Sequence, residues 1–194
     1  MKLLFDMDSV LADLTTKWYT RYNEDYNDNI TAAKVTSWGV EHFVKPECGD
    51  KMQDYLDEPG FFADLKPIEG AIEGVRQLSE AGHEIYIVSA SRPAAYTDKY
   101  NWLMKHMPFL DYHKIIFTHS KGIIDGDALI DDGVHNLEAF YNHHKGSRLC
   151  VVVDAPHNKE IKFPVLRVAS VAEFARIMHK RHLVDIILQK ANHM

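Results

Sequence analysis

Asp6 and Asp8 flank a single residue at the end of the apolar run Leu3-Leu-Phe5, and that placement is the first chemical signal in the chain. In an open α/β sheet, ligands bind outside the carboxyl ends of the strands, so paired carboxylates at such an end lie where chemistry is done. Three more polar signals close other apolar runs: Ser89 after Ile85-Tyr-Ile-Val88, Lys121 just past Lys114–Thr118, and Asp131-Asp132 after Ala128-Leu-Ile130. A parallel sheet gathers these positions along one edge. Two acid pairs, a hydroxyl and a lysine suit phosphoryl chemistry with a magnesium ion, which takes a few hard oxygen ligands beside water and substrate phosphate. The lysine and hydroxyl would balance charge on the transferring group, where electrostatic stabilisation is usually the largest effect.

An Asp-x-Asp triplet alone is weak evidence in a chain with 28 acidic residues, and Asp125-Gly-Asp127 repeats it at the wrong end of a strand. Taken singly, Lys121 reads equally well as a loop lysine, Ser89 as a strand-end cap and Asp131-Asp132 as a solvated turn. Their joint order at strand ends favours a site.

The elements that must position these residues alternate. Strands are expected at the N-terminal run, His83–Val88, Lys114–Thr118, Ala128–Ile130, Leu149–Val153 and Val165–Val168. Between them, Leu11, Leu14, Trp18 and Tyr22 recur at helical spacing, as do Ala71, Ile72, Val75 and Leu78. Pro67 reads as the first turn of that second helix. Tyr96, Tyr100, Leu103, Met104 and Met107 mark another helix, stopped at Pro108. Ser170-Val-Ala-Glu173 has the capping-box pattern of a last helix with Phe174, Ile177, Met178, Ile186 and Ile187 on its buried side. From Ile30 to Gly60 the pattern is weaker and reads as a small helical insertion without strands. Strands alternating with helices imply right-handed crossovers and a mainly parallel sheet covered on both faces.

At 194 residues the chain fits one core with a modest insertion. A hydrophobic content of 46% with 26% charged residues is ordinary for a globular protein. The net charge of −6 argues against a broad footprint for nucleic acid, despite Lys159, Lys162, Lys180 and Arg181. Cys48 and Cys150 show no metal or disulfide spacing, so a reduced, cytoplasmic setting is expected. No signal peptide or membrane-spanning run is read. Most of the twelve histidines, including His143-His144 and His179 with His182, sit among polar residues and read as solvated.

Asp6-Met-Asp8-Ser-Val10, Ser89, Lys121 and Asp131-Asp132 resemble the four ordered motifs of the haloacid-dehalogenase-like (HAD) phosphatases. Phe5 to Asp13, Pro59-Gly-Phe-Phe62 with Leu65 to Ala71, and Asp127 to Asp132 are similar to the 5'(3')-deoxyribonucleotidases. The resemblance runs from Lys2 to about Asn158 and is thin in the insertion. It implies a three-layer, Rossmann-like α/β core formed by residues 1–14 and 65–194, with residues 15–64 as a helical cap. It further implies Asp6 as nucleophile forming an aspartyl-phosphate, and Asp8 as the group that protonates the leaving oxygen and then accepts a proton from water. Asp6, Asp132 and the backbone carbonyl of Asp8 would hold Mg²⁺, with Asp131 supporting that shell. Ser89, Ala90 and Lys121 would hold phosphate, while Leu14, Trp18, Trp38 and Phe62 would line the substrate pocket.

The sequence departs from that pattern in three places. Ser9 replaces the usual glycine, Ser89-Ala90 the usual Thr-Ser, and Leu14 a phenylalanine near the base. The expected activity is Mg²⁺-dependent hydrolysis of nucleoside monophosphates, deoxyribonucleotides above all. The expected partner is a small molecule, with no nucleic-acid polymer or membrane and with homodimerisation left open. A sugar phosphate substrate, or a non-catalytic binding protein on the same fold, are the rivals. The second requires loss of Asp6, Asp8, Lys121 or Asp132, and all four are present.

Overall fold

The computed structural model describes residues 1–180. Six parallel strands form one sheet in the order β3-β2-β1-β4-β5-β6: β1 Lys2–Phe5, β2 Glu84–Ser89, β3 Ile115–Phe117, β4 Ala128–Asp131, β5 Leu149–Val153 and β6 Leu166–Val168. Leu3 and Phe5 are fully buried and belong to the larger apolar cluster, whereas Leu4 belongs to the smaller one on the opposite face. This is the alternation of a pleated strand covered on both sides. α3 (Ala71–Glu80) and α4 (Tyr96–His106) contribute to the larger cluster, α5 (Val134–His143) to the smaller.

The chain runs outward from β1 to β2 and β3, then crosses back to place β4 on the other side of β1. That reversal opens a crevice at the carboxyl ends of β1 and β4, the switch point where doubly wound sheets take ligands. The Asp6 amide donates to the Ile130 carbonyl at 2.9 Å, so both ends are locked in register.

α1 (Leu14–Tyr26) begins at Asp13, whose carboxylate accepts from the Thr16 amide at 3.1 Å. Leu11 therefore precedes the helix on which its spacing had placed it. The segment that follows is mostly short 3₁₀ turns with one brief helix, α2 (Lys51–Asp54). Side chains tie it together: the Tyr22 hydroxyl donates to Asp28 at 2.6 Å and accepts from the Lys45 amide at 2.7 Å, and Trp18 Nε1 donates to the Met52 carbonyl at 2.6 Å. The larger apolar cluster extends without a break from the sheet into this segment through Tyr19, Val40, Met52 and Phe62.

Two helix expectations need correction. Pro67 does not open α3. It bridges Ala12 in extended conformation, and α3 starts after Gly70, whose φ of +71° turns the chain. In α4 the buried face carries Lys99, Trp102 and Leu103, while Tyr96 and Tyr100 are exposed. The Lys99 charge is neutralised inside the protein, which lets a lysine occupy the apolar register. The last helix covers 171–180 of the described residues. Ser170 Oγ accepts from the Glu173 amide at 3.2 Å, and Phe174 and Met178 are buried. Ile186, Ile187, Arg181 and His182 lie outside the described residues.

Candidate active site

A cavity of about 490 Å³ sits at the switch point, and Asp6, Asp8, Lys121 and Asp132 all line it. Each comes from the end of a strand or the turn beyond it. Asp6 accepts from the Met7 amide at 2.7 Å and faces the Lys121 ammonium at 2.8 Å. Lys121, almost fully buried, also meets Asp131 at 2.8 Å. Burial disfavours its charge, but Asp6 and Asp131 outweigh burial and raise its pKa. Asp131 has no exposed surface, and burial pushes its carboxyl up against the pull of Lys121. Its two oxygens are taken by Lys121, the Gly133 amide at 2.8 Å and Asn136 at 3.2 Å. That arrangement suits a supporting role more than an open ligand.

Asp8 is ion-paired with Lys99 through Oδ2, while its buried Oδ1 has no hydrogen-bond partner. Burial pushes the Asp8 carboxyl above the usual range, Lys99 opposes this, and the neighbouring charge of Asp6 adds to it. An acid held up in this way is suited to proton transfer. Lys99 also donates to the Ala90 carbonyl at 2.7 Å and lies over the Phe62 ring at 4.6 Å. Ser89 is fully buried, with its hydroxyl 3.3 Å from Lys99 Nζ and from the Ala90 carbonyl oxygen. Ala90 and Ser91, one step further on, line the cavity directly. Ser9 adopts φ +58°, keeping the left-handed backbone that glycine favours at a cost of about 1 kcal/mol. Its hydroxyl meets that of Thr15 at 2.9 Å, which ties the strained turn to α1.

Leu14, Trp18, Trp38 and Phe62 all line the cavity. Trp38 is 57% exposed and stands edge-on to His135 and His157, with ring centroids 4.5 and 5.3 Å apart. Arg92 joins the core loop after β2 to the inserted segment through an ion pair with Asp57 and a 3.1 Å hydrogen bond to Gln53. Sequence reasoning missed Lys99, Arg92, His135 and His157 in this cavity. The lysine inside the apolar stripe of α4 was the one available signal. Asp125 and Asp127 pair with Lys2 and Arg148 instead, well away from the site chemistry.

Lys121 depends on a close backbone approach next to it. A Cβ on Gly122 would lie 2.9 Å from the Ala139 carbonyl carbon and Cβ in α5. Gly122→Ala is expected to destabilise the protein by about 1–3 kcal/mol through overpacking. It should also lower activity by displacing Lys121. Denaturant midpoints and phosphate release measured on the same variant check this, and an unchanged midpoint would refute it.

Oxygen atoms of Asp6, Asp131 and Asp132 lie within 4.8 Å of one another, all three residues being buried. Clustered hard oxygens of this kind fit a divalent cation such as Mg²⁺. Among the described residues, no helix is long and apolar enough to cross a membrane.

The fold is that of solved HAD hydrolases. A HAD family hydrolase from Deinococcus radiodurans R1, solved with phosphate and sodium, superposes with a TM-score of 0.58 at 16% identity, over 94% of this chain and 96% of that one. A HAD-hydrolase from Bacillus subtilis bound to magnesium gives 0.56 at 14% identity, over 92% and 98%. The family model "5' nucleotidase, deoxy (Pyrimidine), cytosolic type C protein" matches residues 1–183. The 5'(3')-deoxyribonucleotidase of Clostridium acetobutylicum is 42% identical over 154 residues, covering 79% of this chain and 82% of that protein. The chain belongs to this family of nucleotidases, and its fold is the one those HAD hydrolase structures share.

Proposed function

We propose that this enzyme hydrolyses nucleoside monophosphates, deoxyribonucleotides above all, to nucleoside and phosphate through a phosphorylated Asp6. The observation that carries the reading is the pairing of each carboxylate with its own buried lysine, Asp6 with Lys121 and Asp8 with Lys99, at the floor of one cavity. Asp6 attacks phosphorus as Asp8 gives its proton to the leaving nucleoside oxygen, and the bond from that oxygen to phosphorus breaks. Asp8 then takes a proton from water, whose oxygen attacks phosphorus and frees the Asp6 carboxylate and inorganic phosphate. Lys121 and the Ala90 backbone hold the phosphate oxygens, while the Ser89 hydroxyl, expected among them, is fully buried off the cavity lining and meets Lys99 behind it.

Asp6, Asp132 and the Asp8 backbone carbonyl would hold Mg²⁺, with Asp131 supporting them. The ion would supply neutralisation of charge on the phosphoryl group. Residues 15–64 serve as a cap that excludes water, with Leu14, Trp18, Trp38 and Phe62 forming the walls for sugar and base. Two free, buried thiols, Cys48 and Cys150, support work in the reducing cytoplasm.

Phosphate release from a panel of deoxy- and ribonucleoside monophosphates and sugar phosphates, with Mg²⁺ and with chelator, tests this. Chelator-sensitive turnover favouring deoxynucleotides is expected. Turnover concentrated on sugar phosphates would keep the catalytic residues and discard the substrate.

A further inference from the structure

Asp132 is gripped by two consecutive residues that no step above uses. The 3₁₀ turn Pro156–Asn158 reaches back from β5 toward the end of β4. His157 Nε2 lies 3.3 Å from Asp132 Oδ2 and 3.3 Å from the Asp132 carbonyl oxygen. Asn158, with no exposed surface, donates from Nδ2 to the carbonyls of Asp132 at 2.9 Å and Val153 at 2.8 Å. Its Oδ1 accepts from the Ala155 amide at 3.1 Å and from Arg167 Nη1 at 2.9 Å. Both hydrogens and both lone pairs of the carboxamide are thus used, which leaves it one orientation. Arg167 is itself fixed by Asp154 at 2.7 Å and donates to the Asn158 carbonyl at 2.8 Å. On the cavity side, the Trp38 ring packs edge-on against the His157 imidazole.

We infer that His157 and Asn158 are positioning residues for Asp132, holding its carboxylate at the angle a bound divalent cation requires. A carboxylate beside a metal has two oxygens and a free χ2. A donor on one oxygen leaves the other for the cation, and a donor on the main chain fixes where the side chain starts. Groups that orient ligands in this way typically affect metal affinity 10–100-fold. A purely structural asparagine would explain the carbonyl bonds, but it would not explain why the adjacent histidine lines the cavity and meets the same aspartate. The inference rests on the reading of Asp132 as a metal ligand.

Titration calorimetry of Mg²⁺ into the wild type, Asp132→Asn, His157→Ala, His157→Gln and Asn158→Asp tests it, with melting curves recorded with and without the ion. His157→Ala is expected to weaken Mg²⁺ binding about 10–100-fold. His157→Gln, which returns a donor near the Nε2 position, should recover most of that loss. Asn158→Asp sets an acceptor against two carbonyls and should weaken binding as well as lower the melting temperature. Excess Mg²⁺ should restore kcat in His157→Ala with little change in substrate KM.

If Asp132→Asn loses Mg²⁺ while a folded His157→Ala binds it as the wild type does, this inference falls and the metal reading stands. Equal losses of melting temperature with and without Mg²⁺ would likewise reduce the turn to packing. Undiminished Mg²⁺ binding by Asp132→Asn would overturn both.

Discussion

Replacing Asp6 by asparagine is expected to abolish phosphate release, by at least about 10⁴-fold in kcat, because the carboxamide cannot attack phosphorus. The fold should survive. Lys121 now faces two carboxylates, Asp6 and Asp131, in a site almost closed to water. Removing the Asp6 charge leaves Lys121 in a one-to-one pair with Asp131 at 2.8 Å. The melting temperature of Asp6→Asn should therefore equal or exceed that of the wild type, the usual relation between a charged active site and stability. Phosphate release and melting curves on the same preparation check both parts. An Asp6→Asn variant that keeps more than about a tenth of the activity would remove Asp6 from the nucleophile's role.

Lys121→Met should do the opposite to stability while also lowering turnover. It leaves Asp6 and Asp131 facing each other without a counter-ion at 6% and 0% exposure. Breaking a buried pair from one side typically costs about 3–5 kcal/mol. For a chain of this size that is a fall of roughly 10 °C in melting temperature. The loss of a cation aimed at the transferring group should lower kcat a further ~10²–10³-fold in the molecules that remain folded. Combining Lys121→Met with Asp131→Asn should recover part of the stability and none of the activity. A double variant no more stable than Lys121→Met would show that Asp131 is not the source of the strain.

The two signals that proved most legible, the acid pairs at Asp6-Asp8 and Asp131-Asp132, follow strands buried on both faces. Such strands read as short, continuous apolar runs, and their ends mark the sheet edge directly. Lys121 was legible for the same reason. Lys99 was not, because a lysine in an apolar helical stripe is buried only if a carboxylate meets it, and Asp8 lies 91 residues away in the chain. The tyrosine-bearing face of α4 looked equally apolar in the sequence. His157 and Asn158 resemble an ordinary polar turn, and their meaning comes from Asp132 across 25 and 26 residues. Pro67 had the position of a helix start, but pairing with Ala12 overrode it. The segment from Ile30 to Gly60 gave little because 3₁₀ turns of three residues have no period to detect.

The position of β1 between β2 and β4 also governs how the molecule comes into being. The Lys2 amide meets the Asp127 carboxylate across 125 residues of chain, and the neighbouring residues pair across the same separation. Closing a loop of that size carries an entropic cost that the local helices do not. Until β1 docks beside β4, Asp6 and the Lys121–Asp131 pair do not share a dry environment, and the apolar edge Leu3–Phe5 has no partner on one side. Catalytic competence is thus tied to the same docking of β1 against β4 that hides an adhesive strand.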